Sequence, residues 1–347
     1  MTRQQLITDL ATLGPWIECL SSSDPAPSEV ISQELTEAFK AIITQEINRN
    51  GWFEPQEVRN SLKGVSSWLH NAVLTSFSSP YAFQSFRPTL GLILAGNIPL
   101  VGFHDILCGL LSGYKLQIKL SSEDQQLIPL IIQGLISLNP AYAEWIQINP
   151  KKLSGFDAVI GTGSDSTLLH LKSYFKNKPH LLRGNRTSVA ILKGNETPEE
   201  LHALGKDIFQ YFGRGCRNVT HLIVPEGYSF DAFFEAILPF QSVIQNKKYG
   251  NNYDYNRAIH LLSNQDLLDN GFLLLMESNA LHPPLAMIHY HTYSNISQAI
   301  DYIAANRDKI QCISGTDLVK FGTTQEPSID DFADGINTME WLEHALK

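Results

Sequence analysis

The residue best suited to covalent chemistry is Cys216, in the stretch FGRGCRNVTHLIV. Glycines precede it, so the backbone there leaves room for an incoming acyl group. Arg214 and Arg217 stand beside it, and a neighbouring cation stabilises the thiolate, which is the reactive form of cysteine. On local sequence alone, a buried and inert thiol is the commoner fate of a cysteine. Cys216 is therefore a candidate nucleophile that needs support from the rest of the chain.

A second candidate lies in the stretch LILAGNIPLVGFHD. An apolar run predicts a strand that ends at Ala95, and Pro99 predicts the first turn of a helix that Gly113 caps at its end. Asn97 stands in the turn between them, where a side-chain amide can donate a hydrogen bond to an oxyanion. Open α/β sheets bind ligands at this end of their strands. A turn or capping role explains Asn97 equally well.

The stretch LQIKLSSED ends another apolar run with polar residues. Lys119 at a strand end is usually a surface charge, but in a ligand crevice it can bond a ribose hydroxyl or a phosphate. Ser121 and Ser122 supply small hydroxyls beside it. The same serines and the two acids after them predict the capped first turn of a helix over 123–138.

The stretch IGTGSDST repeats this arrangement of strand, turn and helix. Thr162, Gly163 and Ser164 form the predicted turn, and the exposed N–H groups at the start of the following helix can bind a phosphate. A plain N-cap explains Ser164 or Asp165 as well. The GxGxxG fingerprint of dinucleotide-binding domains is absent.

Composition excludes several classes of protein. The 347 residues include 26 basic and 35 acidic side chains, so the sequence offers no basic footprint for nucleic acid. The apolar runs are too short to span a bilayer, and the start MTRQQLITDLATLG does not resemble a signal peptide. Cys19, Cys108 and Cys312 lie in apolar settings and form no CxxC pair, which predicts no metal site and fits a reducing cytoplasm.

The elements that must position these residues follow from hydrophobic periodicity. The first eighty-odd residues predict amphipathic helices, one over 31–47 and one over 57–74. From Thr89 onward short apolar runs alternate with helical ones, which is typical of an α/β sheet with right-handed crossovers. A second αβ block follows a boundary near 186–188. It has predicted strands at 188–192, 220–224, 272–276 and 285–291, and predicted helices at 198–212 and 232–244, before a last helix over 338–346.

In this order, AGNIPL, IKLSSED, TGSDS, RGNRTSV and GRGC followed by a strand resemble the aldehyde dehydrogenase superfamily. More closely, the whole chain resembles the acyl-CoA reductase family typified by LuxC, the fatty acid reductase component of bacterial luminescence. The resemblance implies an α/β fold with a Rossmann-like cofactor domain and a second α/β catalytic domain. It assigns 1–187 to a helical segment plus the dinucleotide-binding domain, 188–315 to the catalytic domain, and 316–347 to a C-terminal return segment.

The resemblance also implies a role for each motif. Cys216 matches the nucleophile that takes the acyl group as a thioester, and Asn97 matches the amide that helps the Cys216 N–H to bind the oxyanion. Lys119 matches the lysine that reaches the adenosine ribose or its 2′-phosphate. With Ser121 and Ser122 beside it, NADPH is favoured as cofactor, while NADH stays open. The cofactor pyrophosphate is expected near Thr162, Gly163 and Ser164.

Two departures from the superfamily bear on the reaction. Leu182 stands where hydrolytic members carry the Glu that activates water, so we expect hydride rather than water to resolve the thioester. In MESNALHPPLA, Pro283 and Pro284 keep the shape of the segment that holds the nicotinamide ribose, but no Glu falls in register. The expected activity is NADPH-dependent reduction of an acyl-CoA, of the fatty acyl class, to the aldehyde.

Alternatives stay open at this point. They are an NAD(P)-dependent aldehyde dehydrogenase, a cysteine acyltransferase or thioesterase without hydride transfer, and a non-catalytic acyl-CoA or nucleotide-binding module. A homodimer is compatible with the resemblance. Four arginines near the motifs could receive phosphates of CoA or cofactor, although solvation explains any one of them: Arg183, Arg186, Arg214 and Arg217.

Overall fold

The computed structural model describes residues 1–22 and 31–346. These residues form two compact units. Unit 1 comprises the described part of Met1–Gly184 together with that of Ser328–Lys347, and unit 2 comprises Asn185–Pro327. None of the described helices combines the length with the apolar composition that a membrane-spanning helix requires.

Helices and strands follow one another along the chain. In unit 1 they are α1 (Arg3–Ser21), α2 (Gln33–Gln45), α3 (Pro55–Trp68), α4 (Asn71–Ser78), β1 (Thr89–Ile93), α5 (Phe103–Leu111), β2 (Lys115–Lys119), α6 (Leu127–Leu138), α7 (Tyr142–Trp145), β3 (Ile146–Ile148), β4 (Ala158–Thr162), α8 (Asp165–Tyr174) and β5 (His180–Arg183). In unit 2 they are β6 (Thr187–Ile191), α9 (Pro198–Phe209), β7 (Val219–Pro225), α10 (Asp231–Ile237), α11 (Lys247–Leu262), β8 (Leu268–Asp269), β9 (Leu274–Glu277), β10 (Met287–Tyr293), α12 (Ile296–Ala305) and β11 (Ile310–Ser314). Unit 1 then ends with α13 (Thr338–His344).

The helical start of the chain is confirmed, but the predicted helix over 57–74 is wrong as one element. The backbone leaves the helical conformation at Leu69 and is extended at His70, which separates α3 from α4. Gly14 of α1 packs against this break, and a Cβ there would lie 2.7 Å from the Leu69 carbonyl oxygen. Helix packing therefore divides a stretch that periodicity alone shows as continuous.

The sheet of unit 1 has the strand order β3-β2-β1-β4-β5, and every neighbouring pair is parallel. This is the order of a Rossmann-type sheet, in which the chain reverses direction across the sheet next to the first strand. The reversal lies between β1 and β4, whose carboxyl ends carry the AGN and TGS turns. The topology therefore brings the motifs of the first half of the chain to one edge of one sheet.

Two further local predictions for unit 1 are wrong. Pro99 does not begin a helix, because α5 starts at Phe103 and Leu100 has a left-handed φ of 59°. The Leu100 N–H donates to Asp124 Oδ2 at 2.9 Å, which holds the chain in a turn. The next helix, α6, begins at Leu127 without a side-chain cap and without acids in its first turn. Ser121–Asp124 thus belong to the preceding loop, whereas Gly113 follows α5 with φ 89°, as predicted.

The sheet of unit 2 has the order β11-β6-β7-β10-β9-β8, parallel except for the edge strand β8. The predicted strands are present with shifts of a few residues. The helix predicted over 232–244 ends at Ile237 and continues as a 3-10 helix, Leu238–Gln245, whose Pro239 lacks an N–H. The helix predicted over 198–212 ends at Phe209, and the chain beyond it forms a turn that leads to Cys216.

Candidate active site

Cys216 lies in the loop between α9 and β7 and is half-buried, whereas Cys19, Cys108 and Cys312 are buried. Tyr211, Phe212 and Gly213 precede it with left-handed φ values of 54°, 58° and 73°. For bulky aromatic residues this backbone conformation costs on the order of 1–2 kcal/mol each. Backbone strain of this kind clusters at functional sites, so the strained residues before Cys216 support a functional role for this loop.

Asn218 holds this loop from inside unit 2, where its side chain is fully buried. Its Oδ1 accepts a hydrogen bond from the Gly215 N–H at 2.7 Å. Its Nδ2 donates to the carbonyl oxygens of Asp207, Ile208 and Gln210 at 3.0, 3.2 and 2.8 Å. The last carbonyls of a helix lack intrahelical donors, so Asn218 ties the end of α9 to the residue before Cys216.

Ser188 of β6 holds the other side of Cys216. Its hydroxyl donates to the Cys216 carbonyl oxygen at 3.0 Å and accepts from the Cys312 N–H at 3.2 Å. Cys312 Sγ also lies 3.0 Å from this hydroxyl, but sulfur is the weaker acceptor. Ser188 is fully buried, so its bonds compete little with water.

The carboxyl edge of the unit 1 sheet collects the predicted cofactor residues and Asn97. Ile93 at the end of β1 pairs with Lys119 of β2 on one side and with Gly161 of β4 on the other. The segments after these three strands carry Asn97, the two serines, and the TGS turn. The structure therefore brings every predicted unit 1 residue to one edge, while their roles stay predictions.

Lys119 has a fixed backbone and an exposed side chain. Its carbonyl oxygen accepts from the Leu94 N–H at 3.0 Å, and the following N–H, of Leu120, donates to Asn149 Oδ1 at 3.1 Å. Ser122 is exposed, but Ser121 is half-buried.

Ser121 packs against the turn that carries Asn97. A Cβ on Gly96 would lie 2.6 Å from the Ser121 side chain, so this position requires glycine. The Ser121 hydroxyl accepts from the Glu123 N–H at 3.2 Å. Of the two serines, Ser122 is thus the more accessible to a ligand.

The turn at Thr162–Ser164 shows the capping role that its sequence allows. Ser164 is the N-cap of α8, and its Oγ accepts from the Thr167 N–H at 3.4 Å. The Gly163 N–H donates to the Arg183 carbonyl oxygen at 3.2 Å and so extends the pairing of β4 with β5. By helix geometry the first N–H groups of α8 lack intrahelical acceptors, which keeps them suited to a phosphate.

The Asn97 turn is held by buried groups. Besides the bond from Leu100 to Asp124, the Ser61 hydroxyl of α3 donates to the Pro99 carbonyl oxygen at 2.8 Å. The pKa of Asp124 is raised to about 6, mainly by burial and to a smaller extent by Glu46, against the opposing effect of the N–H groups of Leu100 and Leu127. Asn97 itself is half-buried at the start of this turn.

Arg183 does not present its guanidinium to a ligand phosphate. It is buried, and its Nη1 donates to both carboxylate oxygens of Asp105 at 2.7 and 2.8 Å while Nη2 donates to Thr338 Oγ1 at 2.7 Å. This arginine ties β5 to α5 and α13. Its neighbour Leu182 stands where hydrolytic relatives carry a water-activating Glu, and its side chain is half-buried.

Three histidines on β7 and β10 form a cluster: His221, His289 and His291. A carbonyl oxygen only accepts, so the bonds of His221 and His289 to Ala280 O place a proton on each Nδ1. The Nε2 of His221 then accepts from Nδ1 of His291 at 2.6 Å. Burial first, and His291 second, lower the pKa of His221 to about 3, and burial also lowers the pKa values of His289 and His291.

Solved structures show the fold class. The structure of Pseudomonas syringae (P. syringae) indole-3-acetaldehyde dehydrogenase in complex with NAD+ and IAA superposes with a TM-score of 0.62 at 12% identity, over 90% of this chain and 72% of that one. An aldehyde dehydrogenase from Mycobacterium tuberculosis complexed with NAD+ gives 0.61 at 14%, over 90% and 73%. An NAD-dependent aldehyde dehydrogenase from Sinorhizobium meliloti gives 0.57 at 12%, over 88% and 70%. The fold is that of the aldehyde dehydrogenases, which confirms the α/β fold expected from the motifs.

The family match identifies a narrower group of proteins than the fold does. The acyl-CoA reductase family (LuxC) matches residues 50–231, more than half of the chain, whereas no curated protein gives a significant match. The chain belongs to the acyl-CoA reductase family. It is an oxidoreductase that acts on aldehyde or acyl groups.

The sequence analysis missed Asn218, Ser188 and Asp124. Each is a short polar residue next to an apolar run, a pattern that surface turns share. One signal could have identified Asn218. It is a polar residue placed between a cysteine and the apolar run of a buried strand. Nothing local marks Ser188 or Asp124, because their partners are 28 and 24 residues away.

Proposed function

We propose that this protein reduces an acyl-CoA, of the fatty acyl class, to the aldehyde with NADPH, through a thioester on Cys216. The observation that carries this proposal is the half-buried Cys216 on a strained loop held by two buried side chains, in a chain of the acyl-CoA reductase family. In this scheme unit 2 supplies the nucleophile and unit 1 binds the cofactor. Four thiols without a disulfide fit catalysis in the reducing cytoplasm.

The edge of the unit 1 sheet fits a nicotinamide dinucleotide. The strand order, the turn after β1 and the N-terminus of α8 at the reversal are the features with which such sheets hold a dinucleotide. Two of the similar solved structures are complexes with NAD+, which supports a nicotinamide cofactor here. The exposed side chains of Lys119 and Ser122 suit a 2′-phosphate and favour NADPH. Ser121 lies between them in the chain and packs against the turn at Gly96.

The first half of the proposed reaction is acyl transfer to the enzyme. The Cys216 thiolate attacks the acyl carbonyl and forms a new C–S bond, while the C–S bond to CoA breaks and CoA leaves as its thiolate. The negative oxygen of the tetrahedral species accepts a hydrogen bond from the Cys216 N–H, and the resemblance to the superfamily assigns the Asn97 amide as the second donor. Arg214 and Arg217 favour the thiolate before attack.

The second half resolves the thioester. The reduced nicotinamide, when bound at the unit 1 edge, supplies the hydride that the acyl carbon needs to reach the aldehyde oxidation state. The same two donors stabilise the oxyanion, and Cys216 then leaves as thiolate as the aldehyde forms. The apolar Leu182, at the position of the water-activating Glu of hydrolytic relatives, favours resolution by hydride over hydrolysis to the acid.

The test mixes the protein, NADPH and acyl-CoAs of graded chain length, and follows the absorbance of the reduced nicotinamide together with free CoA thiol and aldehyde. We expect acyl-dependent oxidation of NADPH with one CoA and one aldehyde released per NADPH. CoA release without NADPH oxidation would instead indicate an acyltransferase or thioesterase. Turnover only of aldehyde with NAD(P)+ would indicate an aldehyde dehydrogenase, and absence of all three activities would refute catalysis on these substrates.

A further inference from the structure

Two buried side chains form hydrogen bonds with the backbone at Cys216 and at the residue before it. Asn218 Oδ1 takes the N–H of Gly215, and Ser188 Oγ donates to the carbonyl of Cys216. We infer that Asn218 and Ser188 are positioning residues, which fix the peptide groups around Cys216 so that its N–H and thiol meet the acyl carbonyl in one orientation. This inference rests on the proposed function for its catalytic consequence, but not for the geometry that it assigns.

Both the oxygen and the nitrogen of the Asn218 amide have hydrogen-bond partners of the correct type. Its oxygen has one N–H donor, and its nitrogen faces carbonyl oxygens only. A buried amide with this partner set has one orientation, because a flipped amide would place its oxygen against the carbonyls. A further bond, from the Asn218 N–H to the Gly215 carbonyl oxygen at 3.0 Å, closes the turn around Cys216.

The loop needs this restraint because of its strain. Tyr211 and Phe212 hold left-handed backbone conformations that bulky side chains avoid, and their relaxation would move the residues that follow. Ser188 adds a second restraint from β6, so that both the start and the end of the Gly215–Cys216 segment are held. A donor that is fixed before reaction costs no reorganisation when the oxyanion forms.

The predicted effect lies in kcat rather than in KM. The bonds at Gly215 and Cys216 involve backbone atoms and do not require the substrate, so their loss misplaces the nucleophile without removing a binding contact. A misplacement of about 1 Å costs up to about 10²-fold in rate. We expect kcat to fall about 10²-fold in Asn218→Ala and about tenfold in Ser188→Ala, with KM for acyl-CoA changed less than about threefold.

The experiment compares these variants with Asn246→Ala and Ser188→Thr. Asn246 is a buried asparagine of the same unit whose Oδ1 accepts from the N–H groups of Lys248 and Tyr249 at the start of α11. Its loss tests general destabilisation of unit 2, and Ser188→Thr retains the hydroxyl. The readouts are kcat, KM, the thermal midpoint, and the rate at which iodoacetamide alkylates Cys216, located by mass spectrometry across a pH series.

Slower alkylation and lower kcat in Ser188→Ala, recovery in Ser188→Thr, and normal values in Asn246→Ala would support the assignment. If Ser188→Ala keeps both rates, the positioning role of Ser188 is refuted, and the same outcome in a folded Asn218→Ala refutes that of Asn218. Should Asn218→Ala fail to fold, the Ser188 pair decides alone. If the wild type reduces no acyl-CoA but the variants still alkylate more slowly, the proposed function fails while the positioning role stands.

Discussion

The loop of Cys216 and the turn of Asn97 are both held by buried side chains, but these side chains differ in charge. The Cys216 loop depends on the neutral amide of Asn218 and the hydroxyl of Ser188. The Asn97 turn depends on the carboxyl group of Asp124, which receives the Leu100 N–H. A neutral restraint keeps the same hydrogen bonds across the pH range in which enzymes work.

A carboxylate restraint behaves differently, because burial penalises its charge. Asp124 Oδ1 is buried without a hydrogen-bond partner among the residues described, and Glu46 adds a second buried carboxyl group nearby. The Asn97 turn therefore carries a cost at neutral pH that the Cys216 loop does not. We therefore expect neutralisation of Asp124 to change the stability of unit 1, whereas loss of Asn218 or Ser188 should change the reaction rate.

The largest expected effect is the loss of the nucleophile. In Cys216→Ser we expect both acyl-enzyme formation and NADPH oxidation to fall more than about 10⁴-fold, because a serine hydroxyl without a matched base is a far weaker nucleophile than a thiolate. The measurements are acylation by radiolabelled acyl-CoA and steady-state reduction. Cys19→Ala, which removes a buried thiol from α1 of unit 1, serves as the control and should keep both rates. Substantial reduction by Cys216→Ser would place the chemistry elsewhere.

Loss of Asn97, the proposed second oxyanion donor, should have a smaller effect that differs in kind. Removal of one oxyanion donor costs about 10²–10³-fold in kcat, so Asn97→Ala should slow both acylation and reduction by this factor. Alkylation of Cys216 by iodoacetamide forms no oxyanion and should keep its wild-type rate. Asn139→Ala, which removes a half-buried amide that accepts from the Ala141 N–H in the same unit, is the matched control. Equal losses in acylation and alkylation would show that Asn97 acts on the thiol instead.

Replacement of Asp124 should raise the stability of the fold at neutral pH, whereas replacement of an ordinary buried contact lowers it. The pKa of its carboxyl group is about 6 in the folded chain against an ordinary value of 3.8. Between these values the folded state binds more protons, so its stability falls as pH rises toward 6 and remains lower above it. Asp124→Asn keeps an acceptor for Leu100 without the charge, and should be more stable at pH 7 by up to about 3 kcal/mol. Near pH 4 the gain should vanish.

Asp105→Asn provides the matched comparison for this effect. Asp105 is a buried carboxylate of the same unit, but it pairs with Arg183, and its loss leaves a buried cation, which costs about 3–5 kcal/mol. Urea unfolding followed by tryptophan fluorescence reports on unit 1 alone, since every tryptophan lies there: Trp16, Trp52, Trp68, Trp145 and Trp341. Destabilisation by both variants at pH 7 would contradict the cost assigned to Asp124.

The order of helices and strands was predictable where the apolar runs are long. Strands β1, β2 and β4 show such runs, whereas β3 and β5 have three and four residues and give too short a pattern. Their pairing also depends on neighbours that no local window contains. The motifs of Cys216 and Asn97 were recognisable because they come in a fixed order along the chain.

The geometry around the motifs was not predictable in the same way. The left-handed Leu100 is set by Asp124, and Pro99 therefore gave the wrong helix start. Helix propensity is a weak prior that a tertiary hydrogen bond can override. Ser188 and Asn218 read as ordinary polar residues until β6 and the end of α9 are brought beside Cys216. The sequence thus offered candidates for the reacting residues, but it did not reveal the buried side chains that hold the Cys216 loop.

The smallest expected effect concerns cofactor choice and tests the edge of the unit 1 sheet. Lys119→Met removes an exposed charge from the carboxyl end of β2, and we expect KM for NADPH to rise about tenfold, the worth of one charge-assisted hydrogen bond of about 1.5 kcal/mol. KM for NADH should change less, because it lacks the 2′-phosphate, and kcat should hold. Lys115→Met, at the amino end of the same strand, is the control and should leave both constants unchanged. Equal rises for the two cofactors would assign Lys119 to the ribose hydroxyls, and no rise would remove it from the site.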